Sequence, residues 1–287
     1  MKVCFACEAR FESDGWGCPE CGDSPRANGF IRFSATDSTA SDAFPEESFA
    51  HLPEQEGASF WFRSRNELIG WGLRTYFPLA RSFFELGCGT GVVLAALSAD
   101  RPDISFAGGE PFAAGLEVAR TRLPAVPLYQ LDGRRLPFDE EFDVVGAFDV
   151  LEHVDEDETV LAQMFQATRP GGGVLVSVPQ HPWLWSAVDE FSRHRRRYRA
   201  SELAHRVESA GFQVLRKTSF VSILLPVLAL SRLRDRRKTV YDPSTEYRLP
   251  GIVDRFFGVA MSAERQLIGA GVSFPVGSSL LLAARRP

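Results

Sequence analysis

Residues 83–91 read FFELGCGTG, and this stretch decides the fold class of the chain. A short apolar run ends in a turn containing Gly87, Gly89 and Gly91, and a helix-forming stretch begins at Val92. Glycines let backbone N–H groups approach a ligand closely, and the positive end of the helix dipole adds to that attraction. The stretch therefore predicts the strand, turn and helix of a nucleotide-type binding site. A dinucleotide fingerprint would place its third glycine at position 92, which is valine.

Apolar runs and helix-forming stretches alternate on both sides of this turn. Because the apolar runs are nearly continuous, they predict parallel strands that are covered by helices on both faces. Strands and helices in this order are joined by right-handed crossovers and give a doubly wound α/β domain. The predicted strands are 82–86, 104–108, 126–131, 142–148, 174–178, 212–219 and 279–284.

Two acidic residues follow the strands that come after the glycine turn. Glu110 ends the second strand, about 20 residues past the turn, and Asp132 ends the third. A carboxylate at the position of Glu110 can accept hydrogen bonds from both hydroxyls of a ribose. Either acid alone could equally cap a helix. Their order at successive strand ends favours a cofactor that contains a nucleoside.

The glycine spacing, with Glu85 two residues before the first glycine, resembles motif I of class I S-adenosylmethionine methyltransferases. Residues 149–154, DVLEHV, and residues 169–173, RPGGG, resemble the ubiquinone- and menaquinone-biosynthesis type of that family. The resemblance runs from about residue 65 to 219. It implies S-adenosylmethionine as cofactor and a mostly parallel seven-stranded sheet whose last strand is antiparallel. Glu85 and Cys88 depart slightly from the commonest residues of the motif.

The resemblance also implies which residues contact the cofactor. The glycine turn would lie against the methionine half, and Asp132 would accept a hydrogen bond from the adenine amino group. An arginine of the first helix, Arg65 or alternatively Arg63, would bind the carboxylate, although simple helix packing is the competing interpretation. The predicted cofactor-binding residues are Arg65, Glu85, Gly87, Cys88, Gly89, Gly91, Glu110, Pro111, Asp132, Gly133 and Phe148.

His153 and His181 are the candidate catalytic residues. Methyl transfer is an in-line displacement, so positioning carries much of the catalysis. A base is needed only when the acceptor arrives protonated, and a neutral imidazole suits that role near neutral pH. A structural hydrogen bond is the alternative role for either histidine. Residues 179–199, rich in tryptophan and arginine, predict either an acceptor-binding loop or a basic loop paired with the acids of 152–158.

Four of the five cysteines lie within the first 21 residues as two Cys-x2-Cys pairs. Two such turns can present four thiolates to a tetrahedral structural Zn²⁺, whose binding would supply the folding free energy of so short a segment. Gly17 and Gly22 suit tight turns beside the cysteines. A ribbon without metal is the alternative. The predicted zinc ligands are Cys4, Cys7, Cys18 and Cys21.

The composition changes along the chain predict three parts. We expect a zinc ribbon over 1–30, a linker over 31–59 and a methyltransferase domain over 60–287, with a helical insertion at 220–273. Within the insertion, an apolar segment precedes a basic cluster that ends at Lys238. Residues 220–238 could form a cap over the acceptor cleft, which we favour, or rest on an anionic membrane surface.

Charge and targeting signals restrict the location and partners of the protein. The formal net charge is −5, and the ribbon up to Cys21 has only Lys2 and Arg10 as basic residues, which argues against nucleic acid as a partner. The sequence shows neither a secretory signal nor an apolar run of about 20 residues. We therefore expect a cytoplasmic protein with reduced thiols, either free or peripheral to the inner face of the membrane.

These observations favour methyl transfer from S-adenosylmethionine to a small-molecule, sugar or lipid-linked acceptor. A first alternative is an RNA or protein methyltransferase that uses the zinc ribbon for docking. A second alternative is a non-catalytic module that binds the cofactor. The glycine spacing disfavours a dehydrogenase.

Overall fold

The computed structural model describes residues 1–33, 44–235 and 249–287. Much of the predicted linker, at 34–43, lies outside the described residues. The last part of the basic cluster within the insertion, Arg236, Arg237 and Lys238, lies outside the described residues as well.

The described chain contains eleven strands and nine α-helices. The strands are β1 (Lys2–Val3), β2 (Arg10–Phe11), β3 (Arg26–Asn28), β4 (Phe30–Arg32), β5 (Ser82–Leu86), β6 (Ser105–Glu110), β7 (Leu128–Gln130), β8 (Phe142–Phe148), β9 (Thr168–Pro179), β10 (Gln213–Phe220) and β11 (Ser279–Arg285). The α-helices are α1 (Leu52–Ala58), α2 (Phe60–Tyr76), α3 (Val92–Asp100), α4 (Ala113–Arg122), α5 (Asp157–Ala167), α6 (Ala187–Phe191), α7 (Ala200–Ser209), α8 (Leu225–Asp235) and α9 (Gly251–Gly269). Short 3-10 helices lie at Glu46–Ala50, Leu151–His153 and Pro182–Leu184.

Nine of these strands form one sheet in the order β10-β11-β9-β8-β5-β6-β7-β4-β3. The strands from β9 across to β4 are parallel, whereas β11 runs antiparallel to both β9 and β10. The mostly parallel sheet with an antiparallel last strand is thus confirmed. The hairpin of β3 and β4 adds two strands to the predicted seven, because β4 supplies hydrogen-bond partners to the edge strand β7.

Helices cover both faces of the sheet, and the apolar core has two layers. In β5, Phe83 points to one layer and Phe84 to the other, as the period of a strand requires. The first layer receives apolar residues from α2, α3, α4 and α9, and the second receives them from α5 and α7. This arrangement places the carboxyl ends of β5, β6, β7 and β8 at one edge, where ligands bind in open α/β sheets.

The N-terminal ribbon packs against the edge of the large sheet. The backbone N–H of Val3 donates to the carbonyl of Pro137 at 2.9 Å. The ring of Trp16 lies 5.5 Å from that of Tyr129 and 5.8 Å from that of Phe138. Arg135 donates to the carbonyl of Phe5 at 2.8 Å. The ribbon therefore supports the segment that follows β7.

Residues 46–58, which fall in the predicted linker, are helical and lie on the glycine turn. Glu56 of α1 is buried, where it accepts a hydrogen bond from Thr90 Oγ1 at 2.5 Å and pairs with Arg122 at 2.7 Å. Phe49 is also buried. The polar composition of residues 46–58 does not predict these helices, because they are held by contacts with residues far away in the sequence, such as Thr90 and Arg122.

The insertion after β10 contains α8 and α9 among the described residues. Helix α9 packs along α2, where the ring of Phe257 lies 5.4 Å from that of Phe60. Glu264 of α9 is buried and accepts hydrogen bonds from the backbone N–H groups of Ser222 and Ile223, each at 2.8 Å. Within the described ranges, no helix is both long enough and apolar enough to cross a membrane.

Candidate active site

The glycine turn has a backbone that side chains would disturb. Gly87, Gly89 and Gly91 have φ values of 68°, 51° and 74°, in the left-handed region that favours glycine. A Cβ on Gly87 would also overlap Cγ2 of Val150, the second residue after β8. The N–H of Gly87 donates to the carbonyl of Gly109 at 2.7 Å, which fixes the turn to β6.

Glu110 ends β6 and lies directly beneath the glycine turn. One carboxylate oxygen accepts a hydrogen bond from the N–H of Gly89 at 3.0 Å, and the other accepts one from Phe112 at 3.2 Å. Burial raises the pKa of Glu110 to about 7, although these two hydrogen bonds oppose the rise. The fold therefore brings the carboxylate of Glu110 to the glycine turn. The sequence predicts a ribose-binding residue at this position.

Asp132, the predicted adenine-binding acid, lies in the turn after β7. Arg134 donates hydrogen bonds to both of its oxygens, with the shortest N–O distance at 2.6 Å. Burial acts to raise the pKa of Asp132, but the hydrogen bonds from Arg134 outweigh it and lower the pKa. The carboxylate side chain is still 33% exposed. Gly133 directly follows Asp132 in this turn. Pro111 comes from the end of β6, and its carbonyl accepts a hydrogen bond from the side chain of Gln130 at 3.0 Å.

Arg65 extends from α2 to the carboxyl edge of the sheet. Its guanidinium group pairs with Asp149, the residue after β8, at 2.6 Å and lies 4.7 Å from the ring centroid of Trp61. Arg63 instead pairs with Asp254 of α9 at 2.5 Å. Asp149 was missed by the sequence analysis, although its place at a strand end was a usable signal. Its φ of 57° shows that the backbone bends sharply there.

Glu85 is buried inside the strand that leads to the turn. Its Oε2 has no hydrogen-bond partner among the described residues. Burial raises the pKa of Glu85 well above its ordinary value, and the charge of Arg65 opposes the rise. Cys88 and Phe148 are buried as well, and the thiol of Cys88 points at β6, where a Cβ on Gly108 would lie 2.9 Å from it.

Two aromatic residues of the N-terminal segment lie over the turn. The ring of Phe49 lies 5.8 Å from that of Phe112 and 5.2 Å from that of Phe44. A Cβ on Gly89 would be 3.7 Å from Phe49. Neither phenylalanine is among the predicted site residues, because both lie in the predicted linker at 31–59. Their apolar character inside a polar stretch was the available signal.

The two candidate catalytic histidines lie at the same edge of the sheet. His153 ends the 3-10 helix after β8, and its ring is 4.8 Å from that of His194. His181 has a φ of 63°, and its Nε2 is buried without a partner among the described residues. Burial, together with the charges of Arg197 and Arg199, lowers the pKa of His181.

The arginine run at 193–199 largely pairs with acids of the same chain. Arg196 pairs with Asp157 at 3.0 Å, and Arg197 pairs with the buried Asp189 at 2.7 Å. These contacts support the interpretation of a basic loop held by local acids. The same loop presents Trp183, which is 54% exposed and lies 5.6 Å from the ring of His181.

The four N-terminal cysteines converge within the ribbon. Cys4 Sγ lies 3.7 Å from Cys21 Sγ, and Cys7 Sγ lies 3.6 Å from Cys18 Sγ. All four sulfur atoms lie within 4.8 Å of one another. Each Cys-x2-Cys pair is followed by a residue with positive φ, Glu8 at 62° and Gly22 at 74°. Gly17 does not share that conformation.

The doubly wound sheet, the glycine turn and the strand-end carboxylates define a Rossmann-like protein that binds a nucleoside cofactor. The family described as "Methyltransferase domain" matches residues 54–217, more than half of the chain, and the chain belongs to that family. It is an S-adenosylmethionine-dependent methyltransferase.

Individual relatives agree with this assignment. A probable S-adenosylmethionine-dependent methyltransferase of Mycolicibacterium smegmatis is 32% identical over 185 residues, 62% of this chain and 69% of the relative. A demethylmenaquinone methyltransferase of Streptomyces griseus is 39% identical over 62 residues, 21% of this chain and 27% of the relative. The resemblance to the menaquinone-biosynthesis type is thus confirmed. The fold matches a chain of the complex between the Haloferax volcanii Trm112 methyltransferase activator and a methyltransferase, with TM-score 0.58, 18% identity and coverage of 85% and 98%.

Proposed function

We propose that this chain transfers the methyl group of S-adenosylmethionine to a small-molecule acceptor, which can be a sugar or a lipid-linked compound. The observation that carries the proposal is that two histidines and the exposed Trp183 follow β8 and β9, at the same carboxyl edge of the sheet as the glycine turn. Trp183 offers an apolar face with a polar N–H, which suits a small organic acceptor. The relative from Streptomyces griseus is named for demethylmenaquinone, a small-molecule acceptor.

In this proposal the predicted residues hold the cofactor at the carboxyl edge of the sheet. S-adenosylmethionine supplies an electrophilic methyl group on a sulfonium. Glu110 accepts the ribose hydroxyls, and Asp132 accepts the adenine amino group at its exposed edge. Arg65 binds the carboxylate, for which the ion pair with Asp149 must loosen, and the buried Glu85 supports the turn from below. Phe44 and Phe49 exclude water from the crevice.

His181 is the base that we favour for an acceptor that arrives protonated. Its lowered pKa keeps the imidazole neutral at physiological pH, and a neutral ring can accept a proton. Its unpartnered Nε2 has no competing hydrogen bond among the described residues. His153 is the second candidate for the base. Its ring lies 4.8 Å from the ring of His194, whereas the ring of His181 lies beside Trp183.

The ribbon binds one structural Zn²⁺ through its four cysteines. Sulfur atoms at the corners of a tetrahedron with Zn–S bonds of about 2.3 Å lie about 3.8 Å apart. The two short Sγ–Sγ distances, 3.7 and 3.6 Å, fit that spacing. Because all four positions are sulfur, we assign this metal a structural and not a catalytic role.

Exposed apolar side chains on the insertion support a lipid-linked acceptor. Ile252, Phe256 and Val259 are 82%, 67% and 66% exposed and share one face of α9. Val227 and Leu230 of α8 are exposed too. Exposed apolar patches of this kind mark contact with apolar partners or with a membrane surface.

The proposal is tested by transfer of a labelled methyl group. Purified chain and methyl-labelled S-adenosylmethionine are incubated with a cell extract that is then separated into lipid, polar small-molecule, RNA and protein fractions. We expect label in the lipid or small-molecule fraction, and its loss in Glu110→Gln. Label confined to RNA or protein would contradict the proposal, and so would cofactor binding without any transfer.

Calorimetry separates the cofactor assignment from the acceptor assignment. We expect S-adenosylhomocysteine to bind and NAD to give no heat of binding. Preference for NAD would overturn the proposal at the cofactor, whatever the labelling experiment shows.

A further inference from the structure

Three side chains with metal-binding atoms lie close together at the edge of the sheet that carries the glycine turn. Glu152, His153 and His194 each place one such atom within 4.8 Å of the other two. Glu152 and His153 lie in the 3-10 helix after β8, whereas His194 lies in the loop after α6. The N–H of Arg195 donates to the carbonyl of Glu152 at 2.6 Å and so joins the two segments.

Glu152 is fully buried, and its carboxylate oxygens accept no hydrogen bond from another described residue. A buried carboxyl group of this kind is costly unless a hydrogen bond or a cation compensates it. A metal ion would supply the missing positive charge.

His194 is oriented by a buried carboxylate. Its Nδ1 lies 2.8 Å from Oδ1 of Asp189, which is fully buried and also accepts from Arg197 at 2.7 Å. With Nδ1 facing this carboxylate, Nε2 is the ring nitrogen left to bind a metal ion. Metal-binding histidines are commonly held by a carboxylate in this way.

We propose that Glu152, His153 and His194 bind a divalent transition-metal ion on the acceptor side of the cofactor crevice. Two imidazoles and one carboxylate suit ions such as Mn²⁺, Fe²⁺, Co²⁺ or Zn²⁺. Three protein ligands leave coordination positions open, unlike the closed set of four thiolates in the ribbon. In this assignment His153 is a metal ligand and not the base.

The position of the cluster indicates what the open coordination positions bind. The ring of His153 lies 5.7 Å from that of Phe44, which contacts Phe49 over the glycine turn. Asp149, three residues before Glu152, pairs with Arg65. A molecule bound to the metal would therefore lie next to the cofactor. Resting on the proposed function, we assign this molecule as an acceptor with two adjacent oxygen atoms, such as vicinal hydroxyls, because such a pair can chelate the ion.

The metal would activate the acceptor hydroxyl. A bound divalent ion lowers the pKa of a coordinated O–H group, so the proton leaves to solvent water at neutral pH and His181 is not required as the base for this acceptor. The acceptor oxygen then forms a bond to the methyl carbon of the cofactor. The carbon–sulfur bond breaks, and its electron pair stays on sulfur. The products are a methyl ether and S-adenosylhomocysteine.

The metal site is tested with the full chain carrying its ribbon zinc. Mn²⁺ is added and the unbound ion is measured by electron paramagnetic resonance, since a hard ion does not compete for the ribbon thiolates. We expect one Mn²⁺ per chain. Glu152→Gln and His194→Gln should each weaken Mn²⁺ binding at least about tenfold. Glu190→Gln is the matched control, because Glu190 is exposed and lies outside the cluster, and it should bind as the parent does.

Two outcomes would overturn the assignment: neither Mn²⁺ nor Co²⁺ binds, or both variants bind the ions as tightly as the parent chain. Calorimetry with S-adenosylhomocysteine reports whether each variant is folded. Metal binding is measured without an acceptor, so its failure would leave methyl transfer intact. Failure of label transfer with metal bound would instead contradict the proposed function.

Discussion

Buried carboxyl groups concentrate at the cofactor edge of the sheet. Glu85 lies in β5, Glu110 ends β6 and Glu152 follows β8, and burial raises the pKa of each. Ionisable groups are rarely buried without a function, because water solvates the charged form better than the protein interior does. The three positions correspond to the turn, the ribose and the proposed metal.

Cofactor affinity should depend on pH through Glu110. Ribose hydroxyls donate to the ionised carboxylate, so binding favours that form, and in the free chain it becomes dominant only above pH about 7. The affinity for S-adenosylhomocysteine should therefore rise roughly fivefold to tenfold as the pH increases from 6 to 7.5. Calorimetry across this range measures the change.

The control is Glu110→Gln, which cannot ionise and should bind more weakly with a flatter pH profile. An equally steep profile in Glu110→Gln would assign the titration to another group. The exposed Glu117→Gln on α4 should keep the profile of the parent chain.

Gly87 is expected to be the least replaceable glycine of the turn. Gly87→Ala combines a φ of 68° with overlap on Val150, so we expect a loss of about 2–4 kcal/mol in the free energy of unfolding and loss of cofactor binding. Gly171→Ala is the matched control, with a φ of 80° and no atom within 4 Å of the added Cβ. It should cost only about 1–2 kcal/mol. Equal losses of unfolding free energy in the two variants, measured by urea denaturation, would show that the positive φ alone determines the cost and that the overlap with Val150 adds nothing.

At the scale of elements, the ribbon supports part of the cofactor site. It contacts Arg135 and Pro137, a few residues after Asp132. Removing its metal should therefore loosen the adenine end of the crevice as well as the ribbon itself.

Cys18→Ser tests this coupling. We expect loss of one zinc per chain by metal analysis, a lower melting temperature and a several-fold weaker affinity for S-adenosylhomocysteine. Cys88→Ser, which changes the cysteine outside the cluster, should keep its zinc. Retention of stoichiometric zinc in Cys18→Ser would refute the four-thiolate site.

Element prediction succeeded where local pattern and tertiary environment agreed. β5 and β8 have the predicted bounds, because continuous apolar runs have few alternatives to a buried strand. β3 and β4 were missed, since three-residue strands carry little pattern and depend on pairing with β7. The helices at 46–58 were missed for a similar reason. Their buried Phe49 and Glu56 are stabilised by residues distant in sequence.

At the scale of the whole molecule, the insertion presents an apolar surface next to the helix that holds Arg65. Because α9 packs on α2, a lipid-linked acceptor bound to this surface would lie close to the cofactor site. The sequence analysis favours a cap for residues 220–238 and gives membrane contact through them as the alternative. Among the described residues, the most exposed apolar face is on α9 instead.

We expect the chain to co-sediment with vesicles of phosphatidylcholine and phosphatidylglycerol. Replacing Ile252 and Phe256 together by serine should reduce the bound fraction at least about twofold, because apolar area drives interfacial binding. Leu79→Ser is the matched control, since Leu79 is 84% exposed but lies away from the insertion. Equal sedimentation of all three chains would contradict a lipid-facing role for α9.

The sequence by itself determined the sheet, the glycine turn, the family and the two cysteine pairs. Each of these depends on periodicity, backbone freedom or spacing within a few residues of chain. Tertiary structure alone decided that Arg65 meets Asp149, that Phe49 lies over the turn and that Glu152, His153 and His194 converge. These contacts join segments that folding brings together, and local pattern does not encode such distances. The glycine turn at 87–91 depends on both. Its backbone conformation follows from the local sequence, whereas Phe49 reaches it only through the tertiary fold.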